Sequence, residues 1–270
     1  MENLQFETSA LVSLGVEAAV LAMLPIILMI VWKKKTGSKL KPFIVGAVTF
    51  FLFAVVLKLV PAYFLFYADN PAAKAINNNI WLYYLTAGIL AGIFEETGRY
   101  TAYKTVLKNS TNKITAISYG IGHGGFESIY LAYSILIMLI LGIIVNSGGI
   151  GQITDGLEGE QLETALSQLR EYSQITFSMS LLGIWERITT MILHICLSVF
   201  VFTAAHQKKY FFLFSAAILI HTLVDFSVVL TKLAPPIIFE VILFIFSVLL
   251  LVFTYKFIYN NIKTTQGKTR

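Results

Sequence analysis

Four short stretches of this chain put ionisable side chains among Ile, Leu and Phe: GIFEETGRY (92–100), HGGFE (123–127), ERITTMILH (186–194) and HTLVD (221–225). They supply Glu95, Glu96, Arg99, His123, Glu127, Glu186, Arg187, His194, His221 and Asp225. A carboxylate left alone in an apolar medium is costly, so these groups must meet partners. Three imidazoles from three segments, His123, His194 and His221, are what a catalytic zinc site requires: three protein ligands and an open position. A divalent ion held there lowers the pKa of a bound water towards about 7, and a neighbouring glutamate can take its proton.

Spacing groups these residues further. His123 and Glu127 are four apart, as are His221 and Asp225, which puts each pair on one helix face one turn apart. Arg187 and His194 are seven apart and also share a face. Arg99 lies four residues after Glu95, so it can pair with a carboxylate and lower the cost of burying both. Asp225 is placed to fix the tautomer of His221. Glu186 and Arg187 point about 100° apart on a helix and are expected to support the site through ion pairs with the Glu95/Glu96 region. Glycines at 120, 122, 124 and 125 surround His123, either for close helix packing or to open space beside a metal.

The elements that position these groups follow from composition. Of 270 residues 57% are hydrophobic and only 13% are charged, with a mean hydropathy of +0.75. Soluble domains run near 25% charged, so the chain reads as an all-α, polytopic membrane helical bundle forming one integral domain over 1–270. Seven apolar stretches are long enough to span a bilayer, near 9–32, 42–67, 79–105, 115–146, 179–205, 210–231 and 234–258. The sequence Ala234–Pro235–Pro236 separates the last two. The first stretch is too long for a signal-peptide core and is expected to be retained.

Loop charges alternate. KKKTGSKLK after span one, Lys104, Lys108 and Lys113 after span three, QKK after span five and the tail with Lys263, Lys268 and Arg270 are basic. The other loops carry Glu2, Glu7, Asp69 and the acids of 155–171. The positive-inside rule then puts the N-terminus outside and the C-terminus in the cytoplasm of a multi-pass cell-membrane protein, the bacterial plasma membrane being expected. The net charge of +5 is thereby a topology signal, and no nucleic-acid partner is expected. The extracytoplasmic loop 147–178 has Leu162, Leu166 and Leu169 at helical spacing, as in a helix lying on the headgroups or, less favoured, a lid. Cys196, alone in the chain, reads as a packing residue without a disulfide.

Counted from the cytoplasmic ends at about 1.5 Å per residue, Glu95, Glu96, His123, Glu127, His194 and His221 fall at a similar depth, roughly 12–18 Å in. Each histidine alone is better read as a hydrogen-bonded packing residue; three at one depth beside four acids reverse that preference. Glu17, Lys58 and Glu240 lie outside this layer or lack a motif and are assigned structural roles. No phosphate loop, dinucleotide fingerprint or serine-nucleophile motif is present.

FEETGRY, GIGHGGFES, WERITTMILHICLSVFVF and HTLVD, in this order, resemble the YhfC family of intramembrane metalloproteases. That family is itself similar to the PrsW proteases and to the CAAX- and bacteriocin-processing group. The resemblance implies that Glu95 or Glu96 activates water while Arg99 holds the other; of the two, Glu95 is the base expected here. It implies that His123 and Glu127 form the second motif, His194 the third, and His221 with Asp225 the last. The arginine follows the glutamate pair after two residues, where CAAX-type members have three. The expected function is hydrolysis of a peptide bond in a peptide or membrane-protein substrate, with one divalent ion, zinc, or in a close variant with Glu and His alone. The sequence leaves two other classes open, a binding or immunity membrane protein and an ion-coupled transporter. Oligomeric state is not legible.

Overall fold

The computed structural model describes residues 4–262; Glu2 and the tail charges Lys263, Lys268 and Arg270 lie outside them. Every regular element among the described residues is helical. In a bilayer each backbone N–H and C=O must be satisfied within its own segment, and long runs of Leu, Ile, Val and Phe meet that demand as helices. They are α1 (Thr8–Thr36), α2 (Lys41–Tyr67), α3 (Pro71–Asn77), α4 (Ile80–Lys104), α5 (Ile114–Asn146), α6 (Ile150–Thr154), α7 (Gly159–Ser173), α8 (Phe177–His206), α9 (Lys208–Lys232) and α10 (Pro236–Asn261).

Six of these, α1, α2, α5, α8, α9 and α10, are long and apolar enough to cross a membrane. The expected third span corresponds to α4, whose 25 residues would reach about 38 Å. It falls outside the six because tyrosines, glycines and the Glu95–Glu96–Arg99 group dilute its apolar run.

Helix starts and stops follow local chemistry. Asn70 accepts from the Ala73 amide at 2.9 Å to start α3, and Asn79 accepts from Trp81 and Leu82 at 3.0 and 3.1 Å to start α4. Pro236 opens α10, as the proline break predicts. Beyond the end of α1, Gly37 has φ 67°, a conformation that glycine adopts without a Cβ penalty. Helix α2 is not uniform: Phe51–Leu57 and Tyr63–Tyr67 are π-helical turns on either side of Lys58–Ala62.

The chain divides into two compact units. One takes α1 up to Leu24 together with Ser128–Arg187. Its core buries Phe6, Leu14, Val145 and Leu169, with Leu11, Leu139 and Tyr172 packed against them. Leu169 of α7, one of the three leucines at helical spacing, is spent on this core, while Leu162 and Leu166 stay part-exposed. The Phe6 amide donates to Asn146 Oδ1 and the Asn146 amide donates back to the Phe6 carbonyl, both at 2.8 Å. The other unit, Pro25–Glu127 with Ile188 onward, has a core from α4, α5, α8, α9 and α10 that includes Tyr103, Tyr119, Phe202, Leu213 and Phe239. Within it α4 and α9 approach so closely that a Cβ on Gly88 or Gly92 would lie 2.6 or 2.4 Å from atoms of Thr222.

Candidate metal and catalytic site

Helix α4 carries three buried charges within five residues: Glu95 (5% exposed), Glu96 and Arg99 (both 0%). The arginine spends its donors on several partners. Its Nε lies 3.1 Å from Glu96 Oε2, and Nη1 donates to the His194 carbonyl at 2.7 Å and to Ser198 Oγ at 2.5 Å. Nη2 meets His194 Nδ1 at 3.2 Å. A guanidinium has no acceptor, so His194 Nδ1 must accept there, and its Nε2 is the atom turned to Glu127, 2.5 Å from Oε2. Arg99 therefore clamps the partner three residues back, Glu96, and orients a ring on α8.

Glu96 passes this order on. Its Oε1 lies 2.8 Å from His221 Nδ1, and a carboxylate held by arginine only accepts, so Nδ1 carries the proton. Its Nε2, where a neutral ring would keep the lone pair, lies 3.8 Å from both Glu95 Oε2 and Asp225 Oδ2. Helical spacing assigns this orienting role to Asp225; Glu96 is the nearer partner and faces the other ring nitrogen. Helical spacing ties Asp225 to the face of His221 without setting the ring's rotation.

The second glutamate is placed differently. Glu95 Oε2 is 3.1 Å from His123 Nε2, and its Oε1 is 3.8 Å from Lys58 Nζ. His123 is fully buried, stacked on Tyr119 (centroids 5.9 Å apart) and met edge-on by Phe50 at 5.2 Å. Its Nδ1 is buried without a hydrogen-bond partner. The glycines around it are there for close approach: a Cβ on Gly124 would sit 3.0 Å from the His194 ring, and one on Gly122 only 2.0 Å from the Phe43 carbonyl.

The expected convergence is thus present among Glu95, Glu96, Arg99, His123, Glu127, His194, His221 and Asp225, all in one unit. Glu186 and Arg187 belong to the other unit and pair with each other; their long side chains bend back across the 100° that separates their Cα–Cβ directions. Lys58, read from the sequence as structural, is a neighbour of Glu95 with a 29% exposed side chain. Only its isolated charge in an apolar run could have flagged it. Ser198 gave no signal beyond lying four residues after His194. The fourth histidine, His206, donates from Nδ1 to the Phe202 carbonyl at 2.9 Å and stands apart.

The donor chemistry fits a divalent ion. Glu95, His123 and His194 each offer one ligand atom, all within 4.8 Å of one another. Ring centroids are 5.2 Å apart for His123 and His194 and 5.6 Å for His194 and His221. Two imidazoles on a tetrahedral ion with metal–nitrogen bonds of about 2.0–2.1 Å have centres about 5 Å apart.

Comparison with known proteins places the chain in a family. The chain is 32% identical over 223 residues to the "uncharacterized membrane protein YhfC" of Bacillus subtilis (strain 168), covering 82% of this chain and 84% of that protein. No solved structure matches it. The model of the YhfC intramembrane metalloprotease family matches residues 20–244, a stretch that contains every residue of the site described above. By that match and that identity, the chain belongs to the YhfC intramembrane metalloprotease family.

Proposed function

We propose that this chain is an intramembrane peptidase in which Glu95 takes the proton of the water that attacks the scissile carbonyl. One observation carries the reading: the two adjacent glutamates divide the work. Glu96 is fully buried, clamped by Arg99 and committed to His221, whereas Glu95 faces the imidazoles and the part-exposed Lys58. The family name supports the reaction class.

His123, His194 and His221 would hold a divalent ion, with zinc the ion this donor set suits best. When bound, such an ion supplies Lewis acidity and makes a nearby water a nucleophile near neutral pH. The protein's own part is more specific. Glu96 holds the proton of His221 on Nδ1 and leaves its Nε2 to a metal, whereas Arg99 fixes the His194 ring with the proton on Nε2 towards Glu127, a proton that ring would give up on binding a metal. Glu95 lies within 4.8 Å of the His123 and His194 ligand atoms, close enough to accept a proton from a water between them and return it to the leaving amine. Arg99 is fully buried with its Nη atoms turned to His194 and Ser198, so stabilisation of the oxyanion falls to Lys58.

In this reading the chain is one integral domain with α4 as a seventh span, N-terminus outside and C-terminus cytoplasmic. The substrate is a membrane-embedded or membrane-associated peptide. Reconstituted wild type, Glu95→Gln and Glu96→Gln proteins, incubated with a library of apolar membrane peptides and read by mass spectrometry, test it. Glu95→Gln is expected to lower cleavage by about 10²–10⁴-fold with the fold intact. Cleavage at the wild-type rate by Glu95→Gln would remove the proposal.

A further inference from the structure

The lysines that mark topology also build a pocket. The links α1–α2 and α4–α5 with the helix ends beside them, residues 33–41 and 104–113, contain eight lysines and no acid. Between them lies a cavity of about 640 Å³ with no acidic residue in its wall. Lys39, Lys41 and Lys113 line it, together with Ser110, Asn112 and Pro42. Lys39 and Lys41 are exposed, while Lys113 is half-buried with its Nζ 4.6 Å from the centre of the Tyr259 ring.

Two long helices also begin in this wall. Helix α2 starts with Lys41 and Pro42, and its N-cap residue Leu40 contributes no side-chain cap; α5 starts with Ile114. Both helix starts put the positive end of a backbone dipole beside the three lysines. A loop needs positive charge to stay inside, but it does not need a cavity to do so. Beside the cavity, Leu40, Ile44 and Val48 of α2 are 43%, 52% and 50% exposed, an apolar strip that continues from the lysines along the helix. A ligand matching both features has an anionic phosphate on an apolar tail.

We propose that this pocket binds the phosphate of an anionic phospholipid headgroup, with the acyl chains along α2. Basic pockets beside membrane helices hold such headgroups through the same combination of charge and depth. The proposal does not depend on the peptidase reading.

The test uses the full-length protein in detergent micelles, with phosphatidylglycerol, phosphatidylcholine or inorganic phosphate added and bound lipid counted by native mass spectrometry. Phosphatidylglycerol is expected to bind in preference to phosphatidylcholine. Lys39→Gln/Lys41→Gln should weaken it about 25-fold, at about fivefold per lysine. Lys33→Gln/Lys34→Gln, which removes the same charge outside the cavity, should leave it as in wild type. All four lysines are exposed, so neither pair threatens folding. Equal weakening by both pairs would assign the binding to diffuse surface charge and overturn the proposal. So would wild-type binding by the pocket pair, or displacement of the lipid by millimolar inorganic phosphate.

Discussion

Replacing Arg99 by methionine removes the cation that meets Glu96 Oε2 at 3.1 Å and leaves a carboxylate with no solvent exposure. Removing one partner of a buried pair costs about 3–5 kcal/mol, because the remaining charge is uncompensated. Three further contacts go with it, to the His194 carbonyl, Ser198 Oγ and His194 Nδ1. If burial of the Glu96 charge dominates, neutralising that residue in the same chain should return much of the loss. Glu96→Gln/Arg99→Met is therefore expected to be more stable than Arg99→Met alone, with a coupling of about 2–3 kcal/mol between the two positions. Thermal and denaturant unfolding of the four proteins in one detergent, followed by tryptophan fluorescence, gives the cycle. Additive effects, with a coupling under about 0.5 kcal/mol, would refute the clamp. The other three contacts would then account for the role of Arg99.

Other consequences follow from single contacts. Lys58→Met is expected to lower peptide cleavage by about 10²-fold while Lys58→Arg keeps most of it, because charge 3.8 Å from Glu95 is what the position supplies; equal loss in both would point to packing. Gly122→Ala should destabilise strongly, since its Cβ would meet a backbone oxygen at 2.0 Å that cannot yield, whereas Gly37→Ser, with nothing within 4 Å, should cost only its positive-φ strain, about 1 kcal/mol. Unfolding midpoints of the two proteins check both. Leu169→Ala should cost about 2–5 kcal/mol by the same measurement, because the side chain is 2% exposed among Phe6, Leu14 and Val145.

Much of the architecture could be read from residue types. Helix ends such as Pro236, Asn79 and the last lysines of α1 fall within a few residues of the expected spans, because apolar runs and caps are local signals. That α4, α5, α8 and α9 bring their polar residues together also followed, from depth alone. The partners across helices did not. Spacing of four puts Glu127 on the face of His123, but Glu127 meets His194; it likewise favours Glu95 for Arg99, which instead takes Glu96. Periodicity along one helix sets a face and leaves the neighbour's rotation open. Lys58 was hidden for a related reason: the π-helical turns at 51–57 widen the helix just before it, so a 3.6-residue count misplaces its face.

The proposed reaction rests on histidines of three helices holding a divalent ion beside Glu95. Metal analysis of the purified protein after equilibration with zinc tests it most directly, on wild type, His123→Ala/His221→Ala and Glu95→Gln. One tightly held ion per chain is expected in wild type, lost in the double histidine protein, and kept in a Glu95→Gln protein that no longer cleaves peptides. An ion still bound to the double histidine protein, or no ion held by folded wild type, would contradict it.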